Sequence, residues 1–148
     1  MEIKIRKIDG SEQEYIEIGC HRENEKVDEI VRFIRNLDGS ISGSTGGKQY
    51  EIPVSDIFYI ESVDNRTFIY TSNDTYAASM KLYEFEDLLK MRSFLRISKS
   101  TLLNLMKVDS VKPALNGRFL CSLKNGEEVI ISRKYVSDFR EYISRKVR

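Results

Sequence analysis

Residues 116–131 read NGRFLCSLKNGEEVII and contain the two strongest turn signals of the chain. Asn116-Gly117 and Asn125-Gly126 are dipeptides that tolerate the positive φ of a tight hairpin turn. The runs that follow them, 118–123 and 128–131, are short and apolar in the manner of strands. This stretch therefore predicts antiparallel hairpins and a mainly β C-terminal region.

The pattern continues outward from this stretch as short strands with two small helices. Further strands are predicted over 57–62, 67–71, 75–78, 94–97 and 107–112. One helix begins at a Ser79 cap, and its apolar face carries Leu82, Phe85, Leu88 and Leu89. The other begins at Ser132, and its apolar positions are Tyr135, Val136, Phe139, Tyr142 and Ile143.

A separate N-terminal unit is predicted over residues 1–45, ahead of a domain over 46–148. Alternation of apolar and charged residues predicts strands at 3–8 and 15–20. A helix capped by Asn24 follows and ends at Asp38-Gly39; its apolar face carries Val27, Ile30, Val31, Ile34 and Leu37. Residues 40–48 are small and polar and are interpreted as a flexible linker.

The composition excludes many classes of enzyme. The 148 residues include one histidine and two distant cysteines, Cys20 and Cys121, which form neither a disulfide framework nor a zinc site of usual spacing. No apolar run reaches the roughly 18 residues that span a bilayer. We expect a cytoplasmic protein that is not an enzyme and has no metal site and no cofactor.

Three isolated motifs are weak. Residues 43–48 resemble a phosphate-binding loop, but the glycine spacing is one residue short and Gln49 stands where Ser or Thr would contact Mg²⁺. His21 has no nucleophile placed beside it by a recognisable motif. The acids of 84–87 alternate with the apolar face of their helix and are interpreted as its solvent side.

Charge divides the chain into two unequal parts. Residues 1–89 carry 10 Lys+Arg against 18 Asp+Glu, whereas residues 90–148 carry 14 against 5. Such asymmetry indicates a polyanionic partner for the basic part. Polar and basic clusters suited to phosphates and base edges occur in three segments: 64–66, 94–104 and 132–135.

These clusters lie in a sequence that resembles the LytTR family of bacterial DNA-binding domains from about residue 46 to 146. Five stretches match in order: 54–62, 94–100 with Asn104, 116–118, 125–128 and 131–135. The resemblance implies a mainly β domain (α+β overall) of about ten short strands in small antiparallel sheets. It also implies that loops at one edge enter successive major grooves of duplex DNA.

The resemblance also implies which residues contact DNA. The family's base-reading positions fall on Asn65, Arg66, Lys99 and Arg133. Its backbone-contacting positions fall on Arg96, Ser98, Ser100, Arg118 and Lys134. Some members have His-Asn-Ser where this chain has 98–100, and lysine cannot make the bidentate amide contact with adenine, so no preferred DNA sequence carries over.

About 45 residues precede the matched region, too few for the receiver domain that many members carry. We therefore expect a stand-alone member that acts as a homodimer on repeated half-sites. The resemblance also implies a small membrane protein as a partner, because stand-alone members are often restrained by one. The acidic excess of residues 1–45 favours dimerisation or capture of a regulator over contact with DNA.

Two other functions remain open at this point. The basic half would equally serve an RNA-binding module, although RNA readers usually stack bases on exposed aromatic residues. Alternatively, the chain is a protein-interaction regulator that acts through residues 1–45.

Overall fold

The computed structural model describes residues 1–35, 37 and 39–147. Its helices are α1 (Glu25–Arg35), α2 (Leu82–Leu88) and α3 (Arg133–Val147). Its strands are β1 (Ser40–Thr45), β2 (Lys48–Pro53), β3 (Tyr59–Val63), β4 (Arg66–Tyr70), β5 (Thr75–Ala78), β6 (Phe94–Arg96), β7 (Thr101–Asn104), β8 (Val108–Pro113), β9 (Phe119–Leu123) and β10 (Glu128–Ile131). The fold is mainly β, as predicted.

The strands form two antiparallel sheets. The larger sheet has seven strands in the order β2-β1-β5-β4-β3-β7-β6, and the smaller has three in the order β10-β9-β8. Both predicted turns lie in the smaller sheet. Asn116 and Gly117 have φ of 63° and 75° between β8 and β9, and Gly126 has φ of 90° between β9 and β10.

The large sheet is covered on both faces, and β7 contributes to both layers. Its consecutive side chains point to opposite sides of the sheet. Leu102 packs in a cluster with Leu82 and Phe85 of α2. Leu103 packs in a second cluster with residues of the smaller sheet and α3, among them Cys121 and Phe139. All four residues of β7 are buried. This strand was not predicted from the sequence, since a strand buried on both faces has no polar alternation.

Asn104, at the end of β7, connects strands inside the core. Its exposed fraction is 4%. The side-chain amide donates to the Ile57 carbonyl at 2.8 Å, and Oδ1 accepts from the Met106 N–H at 3.1 Å. Both ends of the amide are therefore satisfied, which a buried polar group requires.

The two sheets are also joined at the surface of the core by Tyr59. Its hydroxyl donates to Glu127 Oε2 at 2.8 Å, and its ring stacks on Tyr70 with centroids 4.4 Å apart. Burial, reinforced by the hydrogen bond to the Glu127 carboxylate, raises the pKa of this phenol above its usual value. The hydroxyl therefore stays protonated and keeps donating.

The predicted linker at 40–48 is wrong, because these residues form β1, a tight turn and the start of β2. Gly46 and Gly47, with φ of 58° and 77°, make the turn. Gly43 lies so close to its neighbours that an added Cβ would be 2.8 Å from Ile52 Cδ1. The small residues therefore serve close packing and turn geometry rather than flexibility.

The two N-terminal strands are also wrong: the structure has no strand in residues 1–20. Ile3 and Ile5 are 91% and 94% exposed. Alternation of apolar and polar residues shows that a segment is suited to a β-strand. A stable strand also needs a hydrogen-bonded neighbour and other residues packed against its apolar face.

Helix boundaries follow the predictions more closely. Asn24 Oδ1 accepts from the Val27 N–H at 3.0 Å and caps α1, as predicted, whereas the predicted end at Asp38 lies outside the described residues. α3 begins directly after Ser132. α2 begins later than expected, because Lys81 rather than Ser79 precedes it and donates its N–H to Glu84 Oε1 at 3.0 Å.

Candidate nucleic-acid interface

The turn between β3 and β4 presents Asn65 and Arg66 to solvent. Asp64 and Asn65 both have positive φ, 50° and 64°, in a two-residue turn closed by the pair Val63 and Arg66. Asp and Asn are the non-glycine residues that adopt this conformation most readily. The turn is therefore tight, and Arg66 stands at its exit as the first residue of β4.

The turn between β6 and β7 contains Ser98, Lys99 and Ser100. The Ile97 N–H donates to the Thr101 carbonyl at 3.0 Å, and the Ser100 N–H donates to Ser98 Oγ at 3.2 Å. The Lys99 side chain is exposed. The serines thus shape the turn, and the lysine points away from it.

These two turns lie side by side at one end of the large sheet. Glu61 of β3 pairs with Thr101 of β7, and the Ser62 N–H donates to the Ser100 carbonyl at 2.8 Å. Because β3 ends where β7 begins, their turns emerge at the same edge.

The start of α3 joins the same edge. The Ser132 N–H donates to the Ile97 carbonyl at 2.8 Å, so the first turn of α3 adjoins the β6–β7 turn. Arg133 and Lys134 are both exposed there. Two cations at a helix N-terminus oppose the helix dipole, an arrangement that a bound anion would relieve.

The 3₁₀ turn Leu115–Gly117 completes the edge. A Cβ on Gly117 would lie 2.8 Å from Cδ and 3.0 Å from Cγ of Arg133, so the Arg133 stem crosses directly over this glycine. Arg118 Nε donates to the Leu115 carbonyl at 3.1 Å, and Arg118 is half-buried. We call residues 64–66, 98–100, 115–118 and 132–134 together the loop edge.

The Arg96 guanidinium, like that of Arg118, is engaged within the chain. Nη1 donates to the Lys99 carbonyl at 2.6 Å, and Nε lies 3.5 Å from Glu86 Oε2 of α2. The side chain is 19% exposed. Arg96 therefore supports the β6–β7 turn from behind.

Lys81 is a basic residue that contacts the loop edge and was not predicted from the sequence. Its Nζ donates to the Asn65 carbonyl at 3.0 Å. It belongs to the acidic half of the chain and to no recognisable motif, so no local signal indicated it.

Several other basic residues of the C-terminal half lie elsewhere. Lys112 and Arg140 line an apolar groove of about 470 Å³ between the smaller sheet and α3. Lys107 lies 5.2 Å from the Phe58 ring centroid. The uneven distribution of charge along the sequence therefore indicated a polyanionic partner, but it did not indicate which surface contacts that partner.

Two of the three weak motifs have structural roles, and His21 is exposed outside any helix or strand. Residues 43–48 form a β hairpin, not the strand-to-helix turn of a phosphate-binding loop. Glu84 caps α2, Glu86 pairs with Arg96, and Asp87 lies 3.8 Å from Lys90. Within the described residues, no group of His, Cys, Asp and Glu could hold a metal ion. In the same part of the chain, no helix is long and apolar enough to cross a membrane.

A β scaffold that gathers four polar, cation-bearing loops at one edge defines a class of nucleic-acid-binding domain that uses loops to contact its ligand. The LytTr DNA-binding domain family model matches residues 47–144. The chain belongs to the LytTR family of DNA-binding domains.

Solved and curated relatives agree with this assignment. A LytTr DNA-binding domain from Bacillus cereus superposes with a TM-score of 0.67 at 31% identity, covering 70% of this chain and 95% of that one. An uncharacterized HTH-type transcriptional regulator from Staphylococcus aureus is 29% identical over 140 residues, or 93% of this chain and 95% of the relative.

The transcriptional regulatory protein YpdB from Escherichia coli is 34% identical over 90 residues. The alignment covers 60% of this chain but 37% of YpdB, so this chain matches little more than a third of that relative's length.

Proposed function

We propose that this chain is a cytoplasmic transcription regulator that binds specific duplex DNA through the loop edge and catalyses no reaction. The observation that carries the proposal is the hydrogen-bonded contiguity of the loops that hold Arg66, Lys99 and Arg133. The family assignment and the transcriptional regulators among the relatives support the same conclusion.

In the proposed mechanism, side chains at the tips of the loops contact base edges. Arg133 and Lys99 donate to guanine acceptors in the major groove, and Asn65 with Arg66 contacts the next segment of groove. Gly117 and the Arg133 stem pack together, which limits the directions that the guanidinium can take. Such restriction lowers the entropy cost of a specific contact.

Phosphate contacts position the domain. The base-reading side chains are surrounded by Lys134, Arg118, Ser98 and Ser100. The two serines donate hydrogen bonds to phosphates, and the two cations also neutralise phosphates and so release counterions. Arg96 acts indirectly in this scheme, because it holds the Lys99 carbonyl rather than a DNA oxygen.

Duplex DNA fits the loop edge better than single-stranded RNA. The residues of the loop edge include no aromatic side chain, whereas single-strand readers rely on aromatic stacking. Competition by single-stranded RNA at physiological salt should leave the duplex complex intact. Displacement by equimolar RNA would reverse this assignment.

We also propose that the chain acts as a homodimer, with residues 1–39 outside the DNA-binding domain. We place the boundary before Ser40, because β1 pairs with β2 and β5. Capture of residues 1–39 by a small membrane protein is the competing proposal. Sedimentation of the full chain without DNA should give twice 17.2 kDa, and a monomer would refute the homodimer.

The test of the DNA surface begins with selection from a random duplex library, followed by binding to selected and scrambled duplexes. We expect Arg133→Ala to reduce discrimination between them by about 5- to 150-fold, since one bidentate guanine contact contributes about 1–3 kcal/mol. Lys134→Ala should weaken both duplexes alike and reduce the salt slope by about one.

Lys124→Ala is the matched control. Lys124 is exposed and basic, but it follows β9 at the end of the smaller sheet away from the loop edge. We expect the Lys124→Ala chain to bind the selected and the scrambled duplex as tightly as the unmodified chain does. Equal loss of selected and scrambled binding in Arg133→Ala would refute the base-reading role.

A further inference from the structure

Lys81, directly before α2, contacts the backbone of the β3–β4 turn. Its Nζ donates to the Asn65 carbonyl at 3.0 Å. This carbonyl belongs to the planar peptide group that joins Asn65 to Arg66. The hydrogen bond therefore restrains the plane from which both proposed base-reading side chains project.

The backbone of Lys81 is itself held by α2. Its N–H donates to Glu84 Oε1 at 3.0 Å, and its carbonyl accepts from the N–H groups of Glu84 and Phe85 at 3.0 and 3.2 Å. Leu82 and Phe85 are 6% and 0% exposed and anchor the helix in the core. The lysine side chain therefore extends to the turn from a fixed position.

The same helix contacts the β6–β7 turn through Glu86 and Arg96. Glu86 Oε2 lies 3.5 Å from Arg96 Nε, and Arg96 Nη1 donates to the Lys99 carbonyl at 2.6 Å. That carbonyl belongs to the peptide group that joins Lys99 to Ser100. At both turns, a cation linked to α2 thus binds the backbone carbonyl of a residue assigned to base reading.

The backbone conformation of the β3–β4 turn explains why such support matters there. Asp64 and Asn65 have φ of 50° and 64°, a region that is unfavourable for residues with a side chain. A hydrogen bond from a cation is stronger than one between neutral groups. The bond from Lys81 to the Asn65 carbonyl therefore stabilises a conformation that local propensity alone supports weakly.

We propose that α2 holds both base-reading turns in a fixed direction, and that Lys81 is the positioning residue of the β3–β4 turn. We call Lys81, Glu86 and Arg96 together the α2 clamp. This inference rests on the proposed DNA-binding function and adds a residue that the resemblance did not place among the DNA contacts. A side chain that is already directed toward its target loses less entropy on binding.

Binding of Lys81→Met to the selected and scrambled duplexes tests the clamp. This change keeps the length of the side chain and removes its donor. Discrimination between the duplexes should fall about three- to fivefold, the upper range for an exposed charged contact. The salt slope should stay unchanged, and Lys81→Arg should restore discrimination because it restores a cationic donor.

Lys90→Met is the matched control, because it removes the same charge from the other end of α2. Lys90 is exposed, and its Nζ lies 3.8 Å from Asp87 Oδ1 rather than at a turn. This variant should discriminate between the duplexes as the unmodified chain does.

A double-mutant cycle shows which turn Lys81 acts through. Asn65→Gly with Arg66→Ala removes both base-reading side chains of the β3–β4 turn, and glycine suits the positive φ. In that chain, Lys81→Met should have no further effect on discrimination. In a Lys99→Ala chain, Lys81→Met should keep its full effect.

NMR relaxation of the full chain without DNA tests the clamp independently of DNA binding. In Lys81→Met, the backbone order parameters of Asn65 and Arg66 should fall while that of Lys99 stays unchanged. Glu86→Ala should have the opposite pattern, since it releases Arg96 and with it the β6–β7 turn.

These measurements separate failure of the clamp from failure of the proposed function. If the unmodified chain selects no DNA sequence, the DNA-binding proposal is wrong, and the order parameters alone decide whether α2 holds the turns. Unchanged order parameters in Lys81→Met would overturn the clamp. A salt slope lowered by about one in that variant would overturn it as well, because Lys81 would then be a phosphate contact.

Discussion

Gly117 shows how one residue can constrain a side chain that is distant in the sequence. Its φ of 75° suits glycine, and the Arg133 stem occupies the space where a Cβ would stand. The dipeptide Asn116-Gly117 predicted the turn. It did not predict that Arg133, sixteen residues later, lies on top of it.

Gly117→Ala should therefore damage recognition as well as stability. We expect a stability loss of about 1 kcal/mol from the left-handed backbone and a loss of discrimination approaching that of Arg133→Ala, because the new methyl displaces the guanidinium. Chemical denaturation and paired binding to selected and scrambled duplexes measure the two effects.

Gly46→Ala separates the effect of backbone strain from the effect of displacing the Arg133 side chain. Gly46 also has positive φ, 58°, but nothing lies within 4 Å of its added Cβ. This variant should lose similar stability and keep full discrimination. If both variants discriminate normally, contact with Gly117 does not position Arg133.

At the scale of elements, the β6–β7 turn depends on α2. Arg96 bridges the Lys99 carbonyl and Glu86, so a helix on one side of the sheet holds a loop at its end. The resemblance places Arg96 among phosphate contacts. The geometry supports a positioning role instead.

Arg96→Gln distinguishes the two roles. A positioning residue should lower affinity for the selected duplex by about tenfold, since a charged hydrogen bond contributes about 1.5–3 kcal/mol, and should leave the salt slope unchanged. A phosphate contact should lower the slope by about one, as in Lys134→Ala. Titrations at several salt concentrations decide between them.

At the scale of the whole molecule, the large sheet brings both charge halves of the chain to one surface. Asn65, Arg66 and Lys81 come from the acidic half, and Lys99 and Arg133 from the basic half. The layers on either side of the sheet hold this arrangement, and Cys121 lies fully buried in the cluster between the two sheets.

Cys121 therefore reports whether the two sheets stay packed. Burial raises the pKa of its thiol to about 11, so little thiolate forms at pH 8 and reagents cannot reach it. In a Cys20→Ser variant, we expect no rapid reaction with a disulfide reagent in buffer and one reactive thiol per chain in denaturant. Rapid reaction in buffer would show that the sheets separate readily.

Sequence reasoning succeeded where a signal is local. Asn125-Gly126 marked a turn, Asn24 marked the start of α1, and the strands predicted at 75–78 and 128–131 coincide with β5 and β10. It failed at residues 3–8, where an alternating pattern of apolar and charged residues forms no strand. It also failed at 40–48, where small residues make a hairpin.

The sequence by itself determined the mainly β fold, the family and the residue types able to contact DNA, because turn propensity, periodicity and charge are properties of neighbouring residues. Tertiary structure alone decided that the loops of Arg66, Lys99 and Arg133 share one edge, that Arg96 faces inward and that Lys81 joins them. These three arrangements depend on which strands pair and in what register. Hydrogen bonds between distant segments establish that register once both faces of the sheet are buried.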